Sequence, residues 1–259
     1  NQLRAHLQAV FPAAATLFAE VDSEITLTFL SRFTTQEQAD WLSPKRLAAW
    51  LKSAAYSGRT DPAVLHARLL AAPRGKTGPH AGLYAGTTLA LVAVLRALNT
   101  QVKALAASIA AQLAAHPDAE IFQSLPRSGT VRAARLLAEI GDARGRFPTR
   151  ESLTGLAGVA PSTRQTGKTR TVEFRWSADK QLRDALCDFA GDSRRASPRA
   201  ADLYDKAVAR GCDHPHAARI LARAWAHVIW RCWQDRVPYD PAAHNSLQAI
   251  LNRDQPIAA

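Results

Sequence analysis

From Tyr84 to His116 the chain places Leu91, Leu95, Leu98, Val102, Leu105, Ile109 and Leu113 at alternating intervals of three and four. That is the period of an α-helix rather than a strand. It predicts one long, Ala- and Leu-rich helix whose seam suits a coiled coil or helical hairpin packing back on the N-terminal helix. An ordinary core helix satisfies the same pattern. Helical signals surround it. Asn1 to Phe18 carries Leu3, Leu7 and Val10 at helical spacing until Pro12 interrupts. "TTQEQADWLS" opens on a Thr cap, and "SPKRLAAWLKSAAY" and "DPAVLHARLLAA" open on a cap followed by Pro at the first turn. Residues 178–190, 200–210 and 215–233 read as three further helices, and β-branched residues cluster only in "KTRTVEFRW", where one or two short strands fit. The expected fold is mainly α: a helical, coiled-coil region over 1–118, a mostly helical domain with a little strand over 119–245, and a polar tail over 246–259, with "HPDAE" at 116–120 as the boundary.

A chain of 259 residues can bury one large or two ordinary cores. Its formal charge of +11 favours a polyanionic partner, nucleic acid before an acidic membrane surface. No uninterrupted apolar run approaches the roughly 20 residues of a membrane span, and no signal peptide is visible. Cys187, Cys212 and Cys232 are odd in number and lack framework spacing, which fits a reducing cytoplasm. There is no methionine, and "NQLRAHLQAVFPAA" reads as the middle of an amphipathic helix, so the expectation is the C-terminal part of a longer protein.

Two motifs carry chemistry. "SLPRSGTVRAARLLAEIGD" has the layout of a helix-hairpin-helix: Ile121 and Phe122 end one helix, Pro126 to Gly129 turn, and Thr130 to Ile140 form the second. Such a turn aims backbone N–H groups and a helix N-terminus at a phosphate without reading sequence. Arg127, Ser128, Gly129, Thr130 and Arg132 are the candidate contacts. Val131, Leu136, Leu137 and Ile140 are expected inward, leaving Arg132 and Arg135 free for the DNA backbone. A plain helical connector is the alternative.

"GVAPSTRQTGKTR" sets Ser162, Thr163, Thr166 and Thr169 among Arg164, Lys168 and Arg170, with Gly167 allowing a tight turn. Arg175, Lys180 and Arg183 follow, against only Glu173 and Asp179. A hydroxyl attacking a phosphodiester needs cations around the transition-state charge. On composition alone, a solvated basic loop that merely grips DNA is the simpler reading. Cys212, His214, His216, His227 and Cys232 lack paired zinc spacing. Asp184, Asp188 and Asp192 share a helical face that could hold magnesium but reads more simply as a solvated face paired with neighbouring cations. Trp225, Trp230 and Trp233 read as core.

At these residues the chain resembles the insertion sequence 110 family of transposases, the bridge-RNA-guided DNA recombinases. The resemblance rests on "SLPRSGTVRAARLLAEIGD", "RFPTRESLTGLAGVAPSTRQTGKTR", "KQLRDALCDFA" and "SPRAADLYDKAVARGCDHPHAARILARAWAHVIWRC", and extends to "NQLRAHLQAVFP" and "ALVAVLRALNTQVKALAASIAAQLAAHPD". It implies a DNA transposase whose C-terminal domain supplies a hydroxyl nucleophile, with a structured guide RNA selecting sites. It implies homo-oligomers through the coiled coil and a bacterial, nucleoid-associated, cytoplasmic location without a membrane partner. It implies no cofactor or metal in this chain, Mg2+ belonging to an upstream RuvC-like domain with four acidic residues. The family's Ser-Gly-Lys is Thr166-Gly167-Lys168 here, and Arg127 stands where its Pro-Gly-x-Gly hairpin has the first Gly. The resemblance thus makes Thr166 the expected nucleophile with Lys168 and Arg170 beside it, and Ser162 the competing one. Arg127, Ser128, Gly129, Thr130, Arg132, Arg164, Arg175, Lys180 and Arg183 are the expected nucleic-acid contacts. A catalytically inactive nucleic-acid-binding remnant and a helical oligomerisation module are the rival readings.

Overall fold

The structure, a computed structural model, describes residues 2–76, 78, 80–167 and 169–243. It is mainly α, with thirteen α-helices and one two-stranded ribbon among those residues. The chain divides into two compact units that meet inside the long helix, between Ala104 and Leu105, rather than at the 116–120 break.

The first unit opens with α1 (Gln2–Val10) and α2 (Pro12–Leu17), followed by α3 (Glu24–Arg32), α4 (Gln36–Ala39), α5 (Pro44–Ser53) and α6 (Pro62–Ala71). Each start from α3 to α6 has a local cause: the side chains of Ser23, Thr35, Ser43 and Asp61 accept a backbone N–H of the first turn, the groups a helix leaves unpaired. Leu7, Phe11, Leu17, Leu27, Phe29, Leu30 and Leu47 make the core. Trp50 packs edge-on to Phe29 at 5.3 Å.

The long helix α7 runs Ala81–Ala114, close to the span its periodicity predicts. Its N-terminal part buries Val92 and lays Leu91 and Leu95 on the core of the first unit. His6 bonds Thr88 at 2.9 Å, and Arg96 pairs with Glu24 at 3.1 Å. Further along, Leu98, Val102 and Leu105 are exposed, so the middle of the seam has no partner within the described residues, whereas Leu113 near its end is buried in the core of the second unit. By length and apolar composition alone α7 is capable of crossing a membrane, although Arg96 and Lys103 interrupt it.

The second unit holds the remainder of α7, α8 (Ala119–Gln123), α9 (Gly129–Ile140), α10 (Arg150–Leu156), strands β1 (Ser162–Thr166) and β2 (Thr169–Glu173), then α11 (Lys180–Ser193), α12 (Pro198–Ala209) and α13 (His214–Asp235). α13 is the central post, packed by α10, α11 and α12. Trp225 and Trp233 are fully buried on it, as their spacing predicts. The Trp225 indole donates to Ser193 Oγ at 2.8 Å, and Trp230 donates to the Phe147 carbonyl at 2.9 Å. Of the five His and Cys weighed for zinc, His214 is instead bonded to the Tyr204 hydroxyl at 2.6 Å. Among the described residues no three His, Cys, Asp or Glu side chains converge as a metal site.

Candidate nucleic-acid interface

Two elements expected to meet DNA are mounted on one helix, α11. The first is the turn between α8 and α9. Arg127 takes a left-handed backbone (φ +57) and Gly129 follows at φ +59, reversing the chain so that α9 begins at Gly129. Ala133, Leu136, Leu137 and Ile140 face the core, but Val131, expected with them, is 53% exposed. Helix geometry explains the error: at about 100° per residue, Val131 lies roughly 170° from the centre of that buried face. Ser128 is buried and its Oγ has no hydrogen-bond partner, so its side chain does not present itself to a ligand. Thr130 is exposed on the first turn.

The arginines of this turn are not free, contrary to expectation for Arg132. Arg127 Nε donates to Asp192 at 3.0 Å, while Arg132 spans Asp188 at 2.8 Å and Asp192 at 2.9 Å. Arg132 also donates to the Arg127 carbonyl at 3.0 Å, pinning the reversed backbone, and Arg195 approaches Asp192 at 3.5 Å. The Asp188–Asp192 face is thus paired, with arginines more than fifty residues away as well as with Arg195. Hydrogen bonds from Arg127, then Arg132, hold the Asp192 carboxyl below its usual range. The bond to Asp188 correspondingly raises Arg132.

The second element is the β1–β2 ribbon. Its antiparallel register pairs Ser162 with Glu173, Arg164 with Thr171, Gln165 with Arg170 and Thr166 with Thr169, and Gly167 turns at φ +57. Thr166 stands at the far end and is exposed, while Ser162 lies at the base and is half-buried. Strand alternation sets both on one face, about 13 Å apart along the strand. They are therefore alternatives for different phosphates rather than substitutes at one. Lys168 lies outside the described residues, and of Arg164 and Arg170 the structure describes the backbone.

At the ribbon base Arg183 serves as a clamp. It donates to the Arg175 carbonyl at 2.9 Å and the Ala157 carbonyl at 3.4 Å, and its guanidinium covers the Phe174 ring at 4.7 Å. Arg219 of α13 also stacks on Phe174, at 4.8 Å. Lys180 is exposed on the first turn of α11. Arg183 and Asp192 are nine residues apart, so α11 holds the ribbon base and the α8–α9 turn within about 14 Å of helix length.

Beside the clamp lies a cavity of about 450 Å³ lined by Gly158–Pro161, Phe174, Arg175, His216, Arg219, Ile220 and Arg223. Apart from Arg175, sequence reading singled out none of these for nucleic acid. The signal was present: His216, Arg219, Ile220 and Arg223 recur at the i, i+3, i+4, i+7 spacing of one helix face. Reading "CDHPH" for metal and the rest of α13 for core hid it.

Residues 119–205, which carry α8 through most of α12, match the transposase IS116/IS110/IS902 family. Over that segment the chain is similar to that family. It is similar to a Streptomyces coelicolor protein provisionally named as the mini-circle transposase for IS117, 31% identical over 93% of this chain and 59% of that protein. The uncharacterized 43.6 kDa protein of insertion element IS110, also from S. coelicolor, is 34% identical over 58% of this chain and 37% of its own length. The uncharacterized 42 kDa protein of IS900 from Mycobacterium paratuberculosis is 28% identical over 85% of this chain and 55% of its own length. The chain thus spans less than two thirds of each of these relatives. The two elements expected to meet DNA, the α8–α9 turn and the ribbon, both fall inside the matched segment.

Proposed function

We propose that this chain is part of a DNA transposase in which Thr166 is the nucleophile for strand cleavage and exchange. The observation that carries the reading is an exposed hydroxyl at the end of a ribbon whose base is held by the same helix as the reversed α8–α9 turn, within the matched segment. Thr166 Oγ would form a bond to phosphorus as the bond to a deoxyribose oxygen breaks; its proton leaves to solvent or a base, and the departing oxygen is protonated. The phosphoester so formed conserves the energy needed for rejoining. Lys168 and Arg170 neutralise the charge that develops on the phosphoryl oxygens. The α8–α9 turn acts as a helix-hairpin-helix, with Gly129 and the first amides of α9 on the flanking phosphate, and Arg127, Thr130, Arg132, Arg164, Arg175 and Lys180 along the strand.

The reading extends to a structured guide RNA, to an upstream RuvC-like domain holding Mg2+, to a cytoplasmic, nucleoid-associated location and to self-association. Support for self-association is the exposed seam of α7 and, in the second unit, an apolar groove of about 760 Å³ lined by Leu105, Ile109, Val131 and Leu137 among others.

The test uses the full-length protein and a nicked DNA substrate that traps covalent intermediates. Thr166→Ala abolishes the protein–DNA adduct, Thr166→Ser keeps or raises it because a primary alcohol is less crowded, and Ser162→Ala retains it. An adduct that survives Thr166→Ala but not Ser162→Ala moves the nucleophile to the ribbon base. An unsubstituted protein that binds DNA without ever forming an adduct is the non-catalytic reading.

A further inference from the structure

The cavity at the ribbon base has a lining that the chemistry of Thr166 leaves unused. Its floor is apolar, from Val159, Ala160, Pro161 and Ile220, and its wall is cationic, from Arg175, Arg219 and Arg223 with His216; none of the described side chains lining it is a carboxylate. Among the described residues neither Arg219 nor Arg223 forms an ion pair. This is the reverse of the α8–α9 turn, whose arginines are matched by Asp188 and Asp192. Arg175 Nε is buried and has no hydrogen-bond partner, a donor without an acceptor beside an open cavity.

Trp176, the next residue, is 82% exposed. Its ring meets Phe174 edge-to-face, at 5.0 Å and 83°, a contact that takes up at most one face of the indole and leaves the other clear of Phe174. Phe174 itself is covered by the guanidiniums of Arg183 and Arg219. That pairing fixes Arg219 as a flat, charged plate at the cavity wall. An indole with one face clear of its neighbouring ring, planar guanidiniums, an unmatched donor and an apolar floor of ligand size are the parts that hold a nucleobase and its phosphate. A base inside a duplex presents only its edge and cannot enter.

We propose that this cavity and the exposed Trp176 beside its wall residue Arg175 together hold one unpaired nucleotide of the DNA strand engaged by the ribbon, its base stacked on the free face of Trp176 and its phosphate in the cavity against Arg223, with Arg175 and Arg219 along the wall. The proposal rests on the reading of the ribbon as a DNA-strand element, but not on Thr166 being the nucleophile.

The experiment measures binding of this chain to a single-stranded oligodeoxynucleotide about a dozen residues long, to the fully paired duplex of the same sequence, and to the RNA of that sequence, by anisotropy across a salt series. Trp176→Ala should weaken binding to the single strand on the order of ten-fold, the usual effect of losing one stacking platform. It should change duplex binding less than two-fold. Arg223→Gln should weaken the single strand several-fold and lower the salt slope by about one. Both positions are exposed, and circular dichroism and melting temperature matching the unsubstituted chain confirm the fold. Equal losses on single strand and duplex, or no loss on either, overturn the cavity as a site for an unpaired nucleotide. Tighter binding of the RNA than of the DNA, lost with Trp176→Ala, overturns its assignment to the DNA strand. Cleavage is not read in this assay, so an inert Thr166 would leave every arm unchanged.

Discussion

Gly158 closes α10 and lines the cavity at the ribbon base, and replacing it with alanine should cost more than its backbone angle alone demands. Its φ is +63, a left-handed conformation that costs an L residue roughly 1–2 kcal/mol. An added Cβ would also lie 2.4 Å from the Ala178 Cβ and 2.5 Å from Arg183 Nη2. The Ala178 Cβ cannot rotate away without its backbone, and Arg183 is held by the Arg175 carbonyl. Forcing such a contact costs about 1–3 kcal/mol, so the total for Gly158→Ala is about 2–5 kcal/mol. Gly129→Ala is the control, because it shares the angle (φ +59) with nothing within 4 Å of the added carbon; it should cost only about 1–2 kcal/mol. Urea unfolding followed by tryptophan fluorescence suits the comparison, since Trp176, Trp225, Trp230 and Trp233 all lie in the second unit. Equal destabilisation by the two substitutions would falsify the steric argument and leave backbone angle as the whole effect.

Asp192→Asn removes the carboxylate shared by Arg127 and Arg132; DNA binding at low salt should tighten several-fold, with a salt slope steeper by about one per arginine released onto phosphate. An unchanged slope would show that neither arginine meets the DNA backbone. Burial, and after it the charges of Arg150 and Arg223, holds the His227 imidazole below its ordinary pKa of 6.5. The unfolded chain therefore takes up the proton first, and stability falls as pH drops through that value towards the folded one. Unfolding free energy at about pH 5.5 should lie below that at about pH 7.5, and His227→Leu should reduce the difference; an identical difference in the variant refutes the assignment. Ser193→Ala strands the buried Trp225 indole N–H, for about 1–3 kcal/mol. Combining it with Trp225→Phe should cost less than the two changes summed, because the second removes the stranded donor.

Much of the helical order is legible locally. Ser43-Pro44, Asp61-Pro62 and Ser197-Pro198 each write a cap and a first turn into adjacent residues, and each starts a helix where the pair stands. The long apolar seam gave α7 to within three residues at either end. β2 was readable from Thr171 and Val172, whereas β1, "STRQT", has no apolar alternation and exists through its partner. At the candidate site the residue types were readable and their engagements were not. Arg132 looks free in sequence because its acceptors Asp188 and Asp192 arrive from a helix fifty-six and sixty residues later. Arg183 looks like one more cation on a basic stretch, yet carbonyls at Ala157 and Arg175 make it structural. The cavity draws on residues near 160, 175 and 220, a set that only packing assembles.

The ribbon has one more consequence. Two strands of five residues have little cohesion of their own in water, and Thr166 is carried at their distal end. On the reading proposed here, any further freedom such an arm loses against a phosphate costs on the order of 1–2 kcal/mol of entropy per residue ordered, a cost met by the binding of DNA. On that reading the hydroxyl is chemically idle toward stray phosphates. It becomes competent only when nucleic acid or a second protein surface closes around it, so strand breakage is timed by assembly and not by the acidity of the nucleophile.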